Sequence, residues 1–463
     1  MDLGRFNQLK EAFEKQLEEI RGEVEERKSK LISFYKNSNL GKFIISYGQF
    51  LDSAKEKVRN FFGKDKINLV AIDGSVFSIR SKYCLCFWVG SCSVSVQIDI
   101  DSDTYKFTDS DTYEEEVEYT EPNFVGIIPV AYSQIGDEGI EKVDNFLMTL
   151  AEIYMAYKFI KKDIKPDVLL LDGSLLFSFD KHTNFEWGRG ENPFVEFEKI
   201  KKDKNKIFND FKDIEKNLGT WNAICKSILE DSIIPQNFIF SDPKISYLIG
   251  VGLIAILQSY YELINSGKRI IIASISKRSF SRSFFDKFLE KVITSDFSKF
   301  KDLINQPDAI NMFWLIDGLK EESLKHPIFT VDYDGVFEKI DGESPIIPGL
   351  ILRSYCQIKG VSNPHILAID RLAFQDEKEK MKRFDGGAFY YNGRNDIQEI
   401  LAFLFHTLCP EKTPITVGYP EPLLLADRRL QIEKNFYSKI PELIFLDDEL
   451  SKEDLPEEKS KRR

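Results

Sequence analysis

Two strand-like aliphatic runs that each end on an acid place the strongest constraint on how this chain folds. "LVAIDGS" covers residues 69–75 and "VLLLDGS" covers residues 168–174. Short continuous aliphatic runs of this kind are typical of strands buried on both faces. Open α/β sheets place their ligand sites at the carboxyl ends of the strands. We therefore expect Asp73 and Asp172 to meet at two strand ends, although a single Asp-Gly is more often only a turn.

The elements around these runs follow the order strand, strand, strand, helix and strand. The first three strands are "INLVAIDGSVFSIR", "YCLCFWVGSCSVSVQI" and "GIIPVAYSQIG", the helix covers about residues 138–163, and the last strand ends at Asp172. The acidic residues 99–121 are expected to form a solvated loop or an edge hairpin, because blocks of like charge usually face water. Later strands such as "RIIIASISK" precede two final helices at about 395–408 and 420–436. This order predicts an α/β fold with a ribonuclease-H-like mixed sheet core and flanking helices.

Three regions are expected along the chain. Residues 1–62 form an N-terminal helical region, residues 63–440 a large domain with a lysine-rich helical insertion at about 180–243, and residues 441–463 a tail. In the first region, apolar residues recur every three or four positions, which predicts a helix with one apolar stripe. The stripe consists of Phe6, Leu9, Phe13, Leu17, Ile20, Val24 and Leu31. It either packs on its own domain or forms a coiled-coil-like contact in a dimer.

The charge and the missing motifs narrow the class of protein. A net charge of −12 argues against a surface coated with basic residues for nucleic acid, but it is compatible with a local basic groove. There is no long uncharged apolar run and no signal-peptide segment, so we expect a cytoplasmic protein without a membrane span. The 6 cysteines contain no CxxC pair, and the 4 histidines have no metal-binding spacing. Reduced core cysteines are therefore expected rather than a disulfide framework or a zinc site.

A third acid occurs within the helix between the two runs. Glu152, in "TLAEIYMAY", is the one acid of an otherwise apolar and small stretch. An ionised carboxylate is costly to bury without a partner, so its position indicates a cation or a salt bridge. With Asp73 and Asp172 it would meet the need of a two-metal phosphodiesterase, in which metal ions activate water and neutralise the phosphate. Oxygen ligands favour Mg²⁺ or Mn²⁺ over zinc.

Five segments in one order resemble a known family. They are "AIDGS" ahead of a long hairpin, the helix with Glu152, "LLLDGSL", "ISKRS" and "GYPEPLLLADRRLQI". From about residue 66 to residue 436 the chain resembles the NurA nucleases. The resemblance implies a homodimeric deoxyribonuclease with Mn²⁺ or Mg²⁺, two ions per site, that works with a HerA-type hexameric ATPase in DNA end resection and recombinational repair. It also implies 5′–3′ exonuclease activity, with single-strand endonuclease activity as a second expectation, although the residues themselves fix neither polarity nor strand preference.

The resemblance also assigns site residues. Asp73, Glu152 and Asp172 match the metal-binding acids of the family, and Tyr419 matches a tyrosine of the active site. Asp427 stands where the family carries a histidine, and we count it as a fourth ligand because an Asp also binds a hard cation. The basic residues of "SKRSFSR" are expected to contact DNA phosphates without reading the sequence. These residues are Lys277, Arg278 and Arg282.

Two other functions compete with the nuclease. "IFTVDYDGV", residues 328–336, resembles the nucleophile motif of haloacid-dehalogenase-like phosphatases, with Asp332 and Asp334 in the two acid positions. The simpler interpretation of these two acids is a hairpin turn between strands. The second competitor is a NurA-like subunit that has lost cutting and serves as a docking partner of the ATPase. The presence of all three carboxylates argues against it, and Asp427 argues weakly for it.

Overall fold

The computed structural model of the protein describes the chain in segments. They are residues 3–37, 39–47, 51–80, 84–109, 124–131, 165–175, 269–277, 281–292, 306–318, 327–334, 351–358, 366–374, 377–383, 389–391, 393–409 and 419–438, with shorter pieces at 148, 151–152, 155–156, 159–160, 301 and 303–304. The predicted insertion at about 180–243 and the tail at 441–463 lie outside these segments. The chain divides into two compact units, which are described separately. Unit 1 comprises Met1–Gly63, Ser274–Ser344 and Pro348–Pro420, and unit 2 comprises Lys64–Ala273, Pro345–Ile347 and Glu421–Arg463.

Strands and helices alternate along the described chain. The strands are β1 (Ile44–Ser46), β2 (Lys66–Arg80), β3 (Cys84–Asp99), β4 (Thr104–Thr108), β5 (Phe124–Ala131), β6 (Val168–Asp172), β7 (Ile271–Ser276), β8 (Ile328–Thr330), β9 (Tyr333–Asp334), β10 (Ile351–Gln357), β11 (Leu367–Leu372), β12 (Lys382–Arg383) and β13 (Phe389–Tyr390). The helices are α1 (Leu3–Asn37), α2 (Leu51–Phe62), α3 (Leu289–Val292), α4 (Asp308–Gly318), α5 (Glu377–Lys380), α6 (Asp396–Leu408) and α7 (Glu421–Tyr437). A 3₁₀-helix covers Asn39–Phe43 and a π-helical turn covers Ser283–Phe288. Helical residues at 151–152, 155–156 and 159–160 mark the helix that carries Glu152.

Unit 2 is built on a mixed sheet with the order β6, β2, β3 and β4. β2 and β3 pair antiparallel along their whole length, and β5 pairs with the half of β3 that β4 leaves open. β6 runs parallel to β2, with Leu69 opposite Val168 and Ile72 opposite Leu171. The described part of the acidic stretch, residues 99–109, forms an edge hairpin between β3 and β4, as the sequence predicted. The α/β class is therefore confirmed, while the ribonuclease-H-like details stay a prediction.

The start of β6 is fixed to its neighbours by Asp167. Its carboxylate accepts from the backbone N–H of Asn68 at 2.7 Å and from Lys64 Nζ at 2.7 Å. Its backbone N–H donates to Asn68 O at 2.7 Å, and its carbonyl accepts from Ile271 N at 2.9 Å. Because side chains alternate along a strand, a slip of one residue would reverse every side chain of β6. Asp167 therefore fixes the level of the sheet at which β6 ends.

Helix α7 covers one face of this sheet. Trp88, Cys92 and Val94 of β3 form a buried cluster with Ala426 and Leu430 of α7. The ring of Phe77 on β2 stacks against Trp88 on the same face, with 5.3 Å between the centroids. Burying apolar surface of this kind is the main stabilising contribution to the packing of a helix on a sheet.

Unit 1 contains antiparallel strands and the buried helix α6. Its strand order is β12, β13, β9, β10 and β11, and β8 pairs with both β1 and β10. Asn395 caps α6 by accepting from Ile397 N at 3.0 Å. Lys57 of α2 bridges Asp396 and Glu399 in the first turn of α6, with both N–O distances at 2.8 Å. Acids at that end of a helix also interact favourably with the helix dipole.

Helix α1 leaves its apolar stripe exposed over most of its length. Phe6, Leu9, Phe13, Leu17 and Ile20 have exposed fractions of 52%, 64%, 60%, 46% and 57%. Leu31 is buried, and α1 packs against α4 of the same unit. The stripe therefore packs on its own unit only near its C-terminal end, within the described chain. None of the described helices is both long and apolar enough to cross a membrane.

Candidate active site

Asp73 and Asp172 lie at the same level of two adjacent strands. β2 and β6 are parallel and their last paired residues are Ile72 and Leu171, so each Asp follows one residue later. Asp73 is 4% exposed, while Asp172 is half-buried. Gly173 turns the chain directly after β6 with a φ of 94°, a conformation that favours glycine, and its N–H donates to Asp172 Oδ1 at 2.9 Å. The structure therefore brings Asp73 and Asp172 to the same level, as the sequence predicted, but only β6 ends there. The expected strand end at Asp73 is wrong, because β2 continues to Arg80 in its pairing with β3.

Glu152 is close enough to both acids to interact with them electrostatically. Its side chain keeps some contact with solvent, but the carboxyl group is enclosed. Burial raises the pKa of Glu152 well above its ordinary value, and the charges of Asp73 and Asp172 raise it further. The backbone N–H of Gly74 donates to the carboxylate and acts in the opposite direction. Burial together with two like charges makes the ionised form of this group costly.

The three acids approach from two faces of the sheet. Asp73 pairs with Cys92, which packs under α7, so the Asp73 side chain points to the α7 face. By parallel register, the Asp172 side chain points to the same face. A Cβ placed on Gly74, the next residue of β2, would lie 2.7 Å from Glu152 Cγ. Because successive side chains alternate, the helix that carries Glu152 lies on the opposite face.

The donor set fits a hard divalent cation in its chemistry and charge. Carboxylate oxygens are the ligands that Mg²⁺ and Mn²⁺ prefer, and a cation would balance the charges around Glu152. In the described segments, however, no three His, Cys, Asp or Glu residues are arranged so that they could hold an ion as they stand. The acids approach from two faces of the sheet, since Glu152 lies on the face opposite to the Asp73 side chain. This explains why they do not form a three-ligand cluster. The metal role of Asp73, Glu152 and Asp172 therefore stays a prediction.

Asp427 belongs to the same unit but to a different element. It lies on α7, which packs against β2, β3 and β6, and it follows the buried Ala426. Its side chain is half-buried, and Gln431 Nε2 donates to Asp427 Oδ1 at 3.5 Å. Its role as a fourth ligand stays a prediction.

The remaining predicted residues belong to unit 1. Tyr419 is 5% exposed, and Lys277 Nζ lies 4.0 Å from the centroid of its ring. A cation over an aromatic face is attracted by the ring, so Lys277 helps to hold Tyr419 in place. Lys277 and Arg282 are exposed, the latter just before the π-helical turn. Arg278 lies outside the described residues.

The phosphatase interpretation of Asp332 conflicts with its surroundings. Asp332 is 2% exposed, and its Oδ2 accepts from Arg371 Nη2 at 2.7 Å and from Asn395 Nδ2 at 2.8 Å. Its Oδ1 accepts from Gln398 Nε2 at 3.1 Å. A nucleophilic carboxylate needs a free oxygen facing substrate, which these bonds occupy. Asp334 is buried at the end of β9, which pairs antiparallel with β10. Gly335 lies outside the described residues, so the hairpin-turn interpretation stays a prediction.

Sequence reasoning missed two groups that shape this site. Gly74 contributes a backbone N–H and the space beside Glu152, and a pattern of residue types shows neither. Asp167 was also missed, although an acid directly before a buried strand, in "PDVLLLD", was a readable signal. Both act on where the carboxylates lie rather than on their chemistry.

Fold and site together define a mixed α/β protein with interacting carboxylates where the parallel pairing of two strands ends. Comparison with known families identifies it further. The family model of the NurA domain matches residues 67–432, which is most of the chain. The protein belongs to the NurA family, which confirms the resemblance noted in the sequence.

Solved structures of NurA proteins are similar to this chain at low identity. The NurA nuclease from Sulfolobus solfataricus is 16% identical, with a TM-score of 0.41 and coverage of 85% of this chain and 92% of that one. NurA bound to dAMP and manganese is 14% identical, with a TM-score of 0.34 and coverage of 81% and 89%. NurA with manganese is 13% identical, with a TM-score of 0.37 and coverage of 85% and 96%. Among curated proteins no significant match is found. The family assignment therefore depends on the family model.

Proposed function

We propose that the protein is a divalent-metal-dependent deoxyribonuclease that hydrolyses phosphodiester bonds at the Asp73, Glu152 and Asp172 site. The observation that carries the proposal is the enclosed Glu152 carboxylate beside Asp73 and Asp172, in a chain of the NurA family. Acids whose pKa values are shifted by burial and by a specific charged neighbour cluster at functional sites.

Each group has a role in this proposal. Asp73, Glu152 and Asp172 hold Mn²⁺ or Mg²⁺ through their oxygens, and Asp427 is the candidate for a fourth ligand. A bound divalent ion would neutralise the scissile phosphate and make water more nucleophilic at neutral pH. Two ions per site are an expectation from the resemblance alone. The N–H of Gly74 holds the Glu152 carboxylate in one orientation.

DNA contacts are assigned to the basic residues of unit 1. Lys277 and Arg282 are exposed, so their charges are accessible to phosphates. Such contacts position DNA and weaken with salt, and they do not read its sequence. Tyr419, held by Lys277, is the candidate for orienting the substrate.

The wider biological setting follows the resemblance. We include in the proposal a homodimer, a HerA-type hexameric ATPase as partner, 5′–3′ exonuclease action in DNA end resection, and a cytoplasmic location. For the homodimer, the exposed apolar stripe of α1 is a supporting observation. A subunit without cutting activity is the competing function, and it predicts the same partners.

The test is cleavage of end-labelled linear DNA with Mn²⁺, Mg²⁺ or EDTA. We expect metal-dependent shortening by the wild type and its loss in Asp73→Asn and Asp172→Asn. Asp101→Asn, at an exposed acid in the turn after β3, is the matched control and keeps wild-type activity. Undiminished cleavage by both site variants would overturn the site. No cleavage by the wild type, with or without a HerA-type ATPase, would favour the docking subunit.

A further inference from the structure

Gly74 lies in a strand, at a position where the backbone conformation does not require glycine. It lies within β2, paired with Ser91 of β3, and its φ is not in the positive range that favours glycine. Glycine in a strand interior weakens the strand because it has no side chain to pack and loses more conformational freedom on folding. Such a glycine often marks a place where another group approaches the backbone closely.

The group that approaches Gly74 is the side chain of Glu152. A Cβ on Gly74 would lie 2.7 Å from both Cγ and Oε1 of Glu152, and 3.1 Å from its Cδ. A Cβ essentially never lies under 3.0 Å from a heavy atom outside its own residue and the two neighbouring residues of the chain. The N–H of the same residue donates to the Glu152 carboxylate. Gly74 thus provides both the space for the Glu152 side chain and a hydrogen-bond donor to its carboxylate.

We propose that Gly74 is a positioning residue for the candidate active site. Asp73 and Asp172 point to the α7 face, while Glu152 comes from the opposite face and its side chain lies directly against the backbone of Gly74. Any side chain at residue 74 would displace the Glu152 side chain from this position. The second residue of the first Asp-Gly-Ser is thus required by Glu152 rather than by a chain turn. This differs from Gly173 in the second Asp-Gly-Ser, where φ is 94° and nothing lies within 4 Å of an added Cβ.

The consequence for catalysis rests on the proposed function. Gly74→Ala moves the Glu152 carboxylate away from Asp73 and Asp172 and weakens its bond to the backbone of residue 74. Loss of a group that orients a metal ligand typically lowers metal affinity about 10-fold to 100-fold. A displacement of about 1 Å in a catalytic group can lower the rate by on the order of 100-fold. We expect effects of this size on Mn²⁺ affinity and on DNA cleavage.

The first measurement compares Gly74→Ala with the wild type by Mn²⁺ titration calorimetry and by cleavage of linear DNA. Gly22→Ala is the control, because it lies on α1 with no heavy atom within 4 Å of the added Cβ. It is expected to behave as the wild type in both assays. If the wild type binds Mn²⁺ and cleaves DNA, undiminished binding and cleavage by Gly74→Ala would overturn the proposal.

The second measurement does not depend on nuclease activity. Thermal midpoints in EDTA are measured for Gly74→Ala in the wild-type and in the Glu152→Ala backgrounds. Contacting residues give non-additive effects, so Gly74→Ala is expected to shift the midpoint differently in the two backgrounds. Without the Glu152 side chain the substitution is sterically tolerated and should be neutral or slightly stabilising, since it reduces the freedom of the unfolded chain. Equal shifts in both backgrounds would overturn the positioning role.

The two measurements separate the proposals. A wild type that neither binds Mn²⁺ nor cleaves DNA contradicts the proposed function, and the thermal comparison still decides the role of Gly74. If Gly74→Ala alone yields no folded protein, recovery of folded protein in the double variant supports the role. Failure of the double variant as well would count against it.

Discussion

Asp73 and Asp172 extend two parallel strands to the same level, one residue beyond the paired Ile72 and Leu171. The equal level of the two acids follows from the pairing of the sheet. The hydrogen bonds of Asp167 fix where β6 starts, and five residues later the strand ends on Asp172. Stability alone does not favour bringing like charges together beside a third acid. The charges of Asp73 and Asp172 therefore make the ionised form of Glu152 costly, and a bound cation would lower that cost.

Neutralising one of these acids should stabilise the protein in the absence of metal. Asp172→Asn removes a charge that raises the pKa of Glu152, so we expect a gain of roughly 0.5–2 kcal/mol in the free energy of unfolding in EDTA. The same variant should lose the rise in thermal midpoint that excess Mn²⁺ produces in the wild type, since it binds the ion less tightly. Scanning calorimetry with EDTA and with Mn²⁺ measures both effects.

Asp101→Asn is the control, because it removes an exposed acid in the same unit. It should leave both midpoints at their wild-type values. A loss of stability of Asp172→Asn in EDTA, or a full response to Mn²⁺, contradicts the prediction.

Asp332 should prove to be a structural acid. Asp332→Asn removes one charge from the buried group that also contains Arg371 and Glu377. We expect the free energy of unfolding to fall by about 3 kcal/mol, which is the lower end of the range for a broken buried ion pair. The wild type should not hydrolyse p-nitrophenyl phosphate with Mg²⁺, because the oxygens of Asp332 are occupied by hydrogen bonds. Urea unfolding and a phosphatase assay measure the two effects.

Asp396→Asn provides the comparison for an exposed ion pair. Asp396 is 71% exposed and pairs with Lys57 at 2.8 Å, so its neutralisation should cost less than about 1 kcal/mol. Phosphatase activity that disappears in Asp332→Asn would restore the discarded interpretation.

The sequence predicted which acids lie at one level of the sheet better than it predicted the contacts around them, and it placed the end of β2 too early, since β2 continues to Arg80. Asp73 and Asp172 were found because each follows a buried aliphatic run, and Glu152 because an acid in an apolar stretch needs a reason. The motif around Asp332 misled because its partner Arg371 lies 39 residues further along the chain. Such pairings depend on tertiary packing, which a local pattern does not contain. The space beside Gly74 was missed for the same reason.

Asp308 gives a stability effect that depends on pH. Its carboxylate accepts from Phe284 N at 2.9 Å and from Phe285 N at 3.0 Å, and it lies at the start of α4. Burial raises the pKa of Asp308 to about 7, despite these donors. A raised folded-state pKa contributes stability that is fully present below about pH 4 and is lost as the pH rises towards 7. The shift corresponds to on the order of 4 kcal/mol across that window.

Asp308→Asn should remove this dependence. The stability of the variant relative to the wild type should increase between pH 4.5 and pH 7.5, since the amide does not ionise. Urea midpoints at the two pH values measure the difference, and Asp286→Asn in the π-helical turn serves as the comparison. A difference between Asp308→Asn and the wild type that stays constant with pH contradicts the assignment.

The exposed stripe of α1 should mediate self-association. Phe6, Phe13 and Ile20 follow one another at steps of seven, as do Leu17, Val24 and Leu31, which is the repeat of a left-handed coiled coil. The N-terminal residues of the stripe are exposed, while Leu31 is buried in its own unit, so a second copy would cover the part from Phe6 to Ile20. Phe13→Glu places an unpaired charge in that contact and should weaken dimerisation more than about tenfold.

Gln8→Glu adds the same charge to α1 away from the stripe and should leave the dimer intact. Size-exclusion chromatography with light scattering, over a range of protein concentrations, measures the mass of each variant. A coiled-coil contact predicts a lower mass for Phe13→Glu alone. If both variants and the wild type have the same mass, α1 does not hold the dimer, and its stripe must serve a contact other than self-association.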